Sequence, residues 1–259
     1  MKNLKKTKRA ELRRNAASGC YQFKIFRKYR AIAAFSTRRF RVNFTPEGKD
    51  SVTVAHRKLF CRLVRVPFDK LISLEQVHGA NIIRVGNGEC GRGTRSNEDA
   101  IKGTDAILTD AAGAVLSIRT ADCAPLFFID TKQRAIGMAH VGWRGASEHL
   151  ASKMVQAFRR QFLSKPEDLL VGVGPMIRSC CYQVGSEFQN VFGSFVAKRS
   201  GGLYFDLTGW IYNELGSEGV DRIQIYDSLF CTSCLNNIFP SYRKEGAKVR
   251  PMWSVLTLI

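Results

Sequence analysis

Leu126-Phe127-Phe128-Ile129-Asp130 is apolar at four successive positions before the aspartate, so it reads as a strand buried on both faces, not as an alternating strand with one wet side. A turn at Asp130-Thr131-Lys132 leads into a second strand, Arg134-Ala135-Ile136-Gly137-Met138-Ala139-His140. Gly145 to Phe162 then has helical spacing, with Leu150, Met154, Ala157 and Phe158 on one face. Leu169 to Gly174 is another buried strand. Strand, strand, helix, strand is not the strict alternation of a doubly wound sheet, and it predicts an α+β fold with mixed or mostly antiparallel sheets.

Working outward, Tyr29 to Arg38 reads as a strand entering a loop, and Ser51 to Val64 as a helix with Val54, Leu59, Leu63 and Val64 on one side. Leu71 to Val77 is a strand ending at His78, and Asn81 to Val85 follows a Gly79-Ala80 turn. Thr104 to Thr109 and Ala114 to Arg119 are short strands. Glu187 to Lys198 and Leu207 to Gly216 read as helices, Ile223 to Tyr226 and Met252 to Leu258 as strands. Gly86-x-Gly88-x-x-Gly91 matches a dinucleotide fingerprint, but Arg92 to Glu98 is polar and loop-like. No helix opens there to aim its amides at a pyrophosphate, so that reading is rejected.

The chain has 259 residues, 45% of them hydrophobic, and a formal net charge of +18. That length suits one large domain or two small ones. No apolar run is long enough to span a bilayer, and the N-terminus lacks the apolar stretch of a secretory signal. A cytoplasmic monomer is expected. Residues 1–28 are dense in Lys and Arg and read as a flexible basic arm, with 1–20 a frayed helix or disordered, ahead of a catalytic domain over 29–259. Such an arm can touch nucleic acid or simply be solvated. The eight cysteines read as thiols in a reducing compartment. Cys231-Thr232-Ser233-Cys234 is a C-x-x-C without a second pair, so a four-cysteine zinc site is not expected, and Cys180-Cys181 are merely adjacent.

The chemistry concentrates in three places: Gln76-Val77-His78-Gly79, Thr120-Ala121-Asp122-Cys123-Ala124-Pro125-Leu126, and Ala139-His140-Val141-Gly142-Trp143-Arg144-Gly145. Two of only four histidines sit at strand ends beside glycines, and one cysteine joins them. Two imidazoles and a thiolate make a catalytic zinc set with an open fourth position. Their spacing is much longer than the usual ligand pairs, so the fold must assemble the site. A buried thiol with two hydrogen-bonded histidines fits the same residues, as does a Cys123 nucleophile with His140 as base. Asp122 reads equally as an acceptor that orients a ligand and as a turn carboxylate.

These three motifs, in this order, resemble the laccase-domain family, whose members are also called polyphenol oxidases, peptidoglycan-editing factors and purine nucleoside phosphorylases. The resemblance continues through Gly174-Pro175-Met176-Ile177, Cys180-Cys181-Tyr182, Phe205-Asp206-Leu207, Cys231-Thr232 and Ser241-Tyr242-Arg243. It implies a single-domain, four-layer α-β-β-α sandwich with zinc on His78, Cys123 and His140. Implied for the reaction are Cys123, His140, Arg144 and Asp122, with Arg38, Asn43, Gln76 and Arg243 as substrate contacts. The implied activity is phosphorolysis of purine nucleosides (adenosine, inosine, methylthioadenosine) with adenosine deamination, and phosphate is the co-substrate. The alternatives are an amide hydrolase editing peptidoglycan precursors, or a nucleic-acid or partner-binding protein with a vestigial pocket. Copper is the lesser metal expectation, because oxidase chemistry needs more histidines than four. Departures from the family are the shortened loop after Arg38, Gln183 where the family has Glu, and Val249-Arg250 in place of Gly-Arg. Gln183 cannot exchange a proton, so Glu187 is the substitute carboxylate in view.

Overall fold

Every residue of the strand Ala124–Asp130 is buried, and its side chains leave alternately by opposite faces. Leu126 and Phe128 join one apolar cluster, with Leu150, Met154 and Phe158 of the helix Leu150–Phe162 and Ile211 and Leu215 of the helix Leu207–Ser217. Phe127 and Ile129 join a second cluster, with Phe35, Leu116 and Leu256 of another sheet. In that other sheet, Ile32, Ala34 and Val255 face the opposite way onto Phe60, Cys61 and Val64 of the helix Ser51–Val64. Three apolar layers therefore separate helix, sheet, sheet and helix. Each fully buried Phe contributes about 1.5–3 kcal/mol relative to exposure. This is the expected four-layer sandwich.

The computed structural model describes residues 8–15, 19–40, 42–43 and 50–259. One sheet runs Lys8–Arg9, Ile225–Asp227, Leu169–Val173, Ala124–Asp130, Ile136–Val141, Ala106–Thr109, Ile82–Arg84. The other runs Leu12–Asn15, Cys20–Phe23, Ala31–Ser36, Met252–Leu258, Val115–Thr120, Leu71–Ser73. Both mix parallel and antiparallel pairs. A small antiparallel sheet of Gln183–Val184, Gly202–Phe205 and Val196–Arg199 stands apart.

Three expectations need correction. The helix expected from Gly145 to Phe162 is two, Trp143–Ser147 and Leu150–Phe162, parted at His149 in left-handed backbone with φ 60°. There the Glu214 carboxylate takes both the His149 imidazole at 2.9 Å and the Ala151 N–H at 3.2 Å. The helix expected from Glu187 to Lys198 stops at Phe192 and becomes the strand Val196–Arg199, because Gly193 turns with φ 53°.

The described part of residues 1–20 is not a frayed helix. Lys8–Arg9 pairs with Ile225–Asp227 in one sheet, while Leu12–Asn15 pairs with Cys20–Phe23 in the other. The cationic side chains of Arg13, Arg14, Lys24 and Arg27 face solvent, while Tyr21, Phe23 and Phe26 are buried. Charge on the wet side hid the apolar alternation. Residues 1–7 and 16–18 of that segment, and Arg41 and Phe44 beyond Arg38, lie outside the described residues.

Candidate active site and metal centre

Sheet register assembles the site. In the antiparallel pair, Pro125 lies opposite His140 and Ala124 opposite Val141. The start of one strand thus meets the end of the other, and Cys123 falls beside His140 and Gly142. Ala106 is partnered by Ala139 on one side and Ile82 on the other, so Asp105 lies next to His140 and to the chain entering Ile82. That chain crosses from one large sheet to the other after Leu71–Ser73 and carries His78. The ligand atoms of His78, Cys123 and His140 lie within 4.8 Å of one another.

Asp105 organises this group. Its carboxylate accepts the His140 Nδ1–H at 2.8 Å, which turns Nε2 toward Cys123 as the nitrogen a metal would take in exchange for its proton. It also accepts the backbone N–H of Val77 at 3.1 Å, His78 at 3.0 Å and Gly79 at 2.7 Å. Those bonds hold a backbone that L-residues resist: φ is 49° at Gln76 and 63° at His78. Burial opposes ionisation of Asp105, but the His140 and N–H bonds outweigh it and hold its carboxyl below the usual range.

Burial alone would push the Cys123 thiol up, yet the charge and hydrogen bonds of His140 and His78 bring it down to about 6. Burial likewise disfavours a charged His140, and Cys123 and Asp105 reverse that, raising it to about 9. The sulfur is therefore poised as a thiolate, the form a metal binds. Gly142 completes the cradle: a Cβ there would stand 2.8 Å from Cys123 Sγ and 3.6 Å from His78 Cδ2. Donor types, tautomer and packing all fit one borderline-soft ion.

The three residues open into a cavity of about 820 Å3. Its walls include Trp143, Tyr182, Phe188 and Tyr242, the cations Arg119, Arg144 and Arg243, and the carboxylates of Glu75, Asp122 and Glu187. Arg144 lies over the Trp143 ring at 4.4 Å. Arg243 donates to the carbonyls of Cys181 at 3.3 Å and Gln183 at 2.9 Å.

The expected site residues divide. His78, Cys123, His140, Asp122, Arg144, Asn43, Gln76 and Arg243 all line the cavity. Asp122 does not orient a histidine; its carboxylate accepts from Thr232 Oγ1 at 2.5 Å and the Arg243 N–H at 2.7 Å. Gln76 gives its amide to the Arg119 backbone, at 2.7 and 2.8 Å, and Asn43 accepts from the Arg119 guanidinium at 2.9 Å. Arg38 is not among the lining residues: it bonds to the Asn236 carbonyl and pairs with Glu245 at 3.1 Å, which consumes it structurally. Asp105 and Arg119 were missed. Asp105 sits in a plain turn before a short strand, and only the cross-sheet register gives it a role.

A family model described as multi-copper polyphenol oxidoreductase laccase matches residues 34–258. The chain belongs to this family. Among curated members, the purine nucleoside phosphorylase YlmD of Geobacillus stearothermophilus is 31% identical over 208 residues, 76% of each chain. An adenosine deaminase from an unknown prokaryotic organism is 26% identical over 209 residues, 77% of this chain and 79% of that one. The crystal structure of Geobacillus stearothermophilus YlmD superposes with a TM-score of 0.87 at 27% identity, covering 96% of this chain and 99% of that one. The family's description names copper and its curated members are named for nucleoside chemistry, so the site's own residues must arbitrate.

Proposed function

We propose that this chain is a zinc enzyme acting on purine nucleosides, by phosphorolysis and by adenosine deamination. The observation that carries the reading is the His78–Cys123–His140 group at the base of a cavity of about 820 Å3, within the range of small-molecule sites. One thiolate and two imidazoles suit zinc. The chain's four histidines are too few for a multi-copper oxidase centre. Bound by these three donors, zinc supplies Lewis acidity toward an oxygen nucleophile.

The chain's own residues supply the rest. Trp143, Tyr182, Phe188 and Tyr242 offer aromatic faces to a purine. Arg144 and Arg243 offer guanidinium donors to phosphate. In phosphorolysis a phosphate oxygen bonds to the sugar carbon, the glycosidic C–N bond breaks, and its electron pair leaves with the base. In deamination a water oxygen bonds to the amino-bearing ring carbon and ammonia leaves. Gln183 donates its amide to the Gly201 carbonyl at 2.7 Å and carries no exchangeable acid, so Glu187 on the same wall takes the proton-transfer role. Burial pushes the half-buried Tyr182 phenol up, so it stays neutral and hydrogen-bonds without serving as a base.

Metal content of the protein and of Cys123→Ala, measured beside adenosine and inosine turnover with and without phosphate, tests the proposal. Loss of about one zinc per chain together with loss of product formation in the variant supports it. Zinc retained by the intact protein with no turnover of either nucleoside overturns it.

A further inference from the structure

Four cysteines that the sequence scatters converge next to Tyr182, outside the set of residues that line the cavity. Cys180 and Cys181 stand on one turn, where the Cys181 and Tyr182 N–H groups both bond to the Arg178 carbonyl at 2.8 and 2.9 Å. Cys231 and Cys234 stand on another, closed by the Leu235 N–H on the Cys231 carbonyl at 2.9 Å. All four sulfurs lie within 4.8 Å of one another, with Cys181–Cys234 at 3.3 Å and Cys180–Cys234 at 3.6 Å. All four are free thiols. Tetrahedral thiolates around one zinc ion, with Zn–S of about 2.3 Å, stand about 3.8 Å apart, close to these separations. A disulfide needs about 2.05 Å, and the inorganic core of an iron–sulfur cluster holds its cysteines further apart.

We infer that Cys180, Cys181, Cys231 and Cys234 form a second, structural metal site that takes a single zinc ion, closed by four thiolates. The N–H groups of Cys234 and Arg178 hydrogen-bond the Cys231 sulfur. Such N–H donors are the outer support of a thiolate ligand. Four thiolates this close would repel one another, and a divalent ion would remove that penalty. The pairing escapes a spacing search because one half is an adjacent Cys-Cys and not a C-x-x-C. The ion would tie the chain leading into Tyr182 to the chain leading into Thr232, whose hydroxyl bonds Asp122. It would thus brace one wall of the cavity from behind.

Cys123→Ala removes the catalytic donor set and isolates the second site. Elemental analysis of this variant is expected to retain about one zinc per chain, against about two in the intact protein. Cobalt exchanged into it should give strong thiolate-to-metal charge-transfer absorption and the visible bands of a tetrahedral sulfur site. Adding Cys180→Ser and Cys234→Ser, both at exposed positions, should abolish the retained zinc and the absorption. Zinc-free Cys123→Ala protein with all its thiols titratable overturns the inference, as does iron in place of zinc. Because those substitutions could unfold the chain, intact mass and thiol count of the unmodified protein give a second reading. Five thiols, these four and Cys123, that resist titration until a chelator is added support the site, and a disulfide between the two turns overturns it.

Discussion

Asp105 has five acceptor roles, four on its carboxylate: the His140 ring, the three amides from Val77 to Gly79, and the His140 N–H on its carbonyl at 2.8 Å. Asp105→Asn keeps the shape but loses the charge that favours the right His140 tautomer. Metal affinity or turnover should fall about 10- to 100-fold, as for other residues behind a metal ligand, and competition with a chelator measures it. Retained affinity would show that the carboxylate only orders the loop. Gly142 makes a sharper test. Its φ of −89° admits alanine, so Gly142→Ala acts only through the contact with the Cys123 sulfur. The metal should be lost at the catalytic site, while stability measured without metal changes by no more than about 1–3 kcal/mol of overpacking. Equilibrium dialysis and a denaturant melt separate the two effects.

Between helices, Glu214 does comparable work in the scaffold. From the helix Leu207–Ser217 it accepts from His149 at 2.9 Å, Trp210 Nε1 at 2.9 Å and the Ala151 N–H. Burial pushes its carboxyl up, and the His149 and Trp210 bonds only partly offset this. The folded state therefore holds the proton more tightly than the unfolded chain. By linkage, this group's contribution is fully present below the ordinary glutamate pKa and is lost as pH rises through the raised folded value. Glu214→Gln removes that dependence. Denaturant melts in steps of pH should show the variant gaining on the parent as pH rises from the glutamate range, and parallel curves would contradict the assignment. The break at His149 that Glu214 organises was not legible: Gly145 to Phe162 is helical in pattern throughout, and only a partner from a distant helix makes the left-handed residue tolerable. Val196–Arg199 was misread for a simpler reason, since a short helix followed by a glycine and a β-branched residue keeps apolar spacing across the boundary.

Across the whole molecule, the N-terminal segment stitches the two large sheets together, with Lys8–Arg9 in one and Leu12–Asn15 in the other. A chain beginning at residue 29 loses three strands together with Phe23 and Phe26, both fully buried. Each such Phe is worth about 3–5 kcal/mol against alanine, which is comparable to half of a typical net stability of about 5–15 kcal/mol. The truncated protein should be insoluble or lack a cooperative melt. A truncated protein with an undiminished melting temperature would return the segment to the status of an arm.

Local chemistry carried the sequence reading far. Runs such as Leu126 to Ile129 determined that strands would be buried on both faces, because alternation and its absence are properties of consecutive side chains. The helix Ser51–Val64 and the strand Met252–Leu258 were legible in full for the same reason. The three site motifs were visible as unusual residues at strand ends. What they meet was decided only by the tertiary structure. Strand register set Asp105 against His140, an ion pair with Glu245 drew Arg38 away from the cavity, and two loops brought four cysteines together. Each of these depends on contacts between segments distant in the chain, whose spacing along the sequence carries no trace of their distance in space.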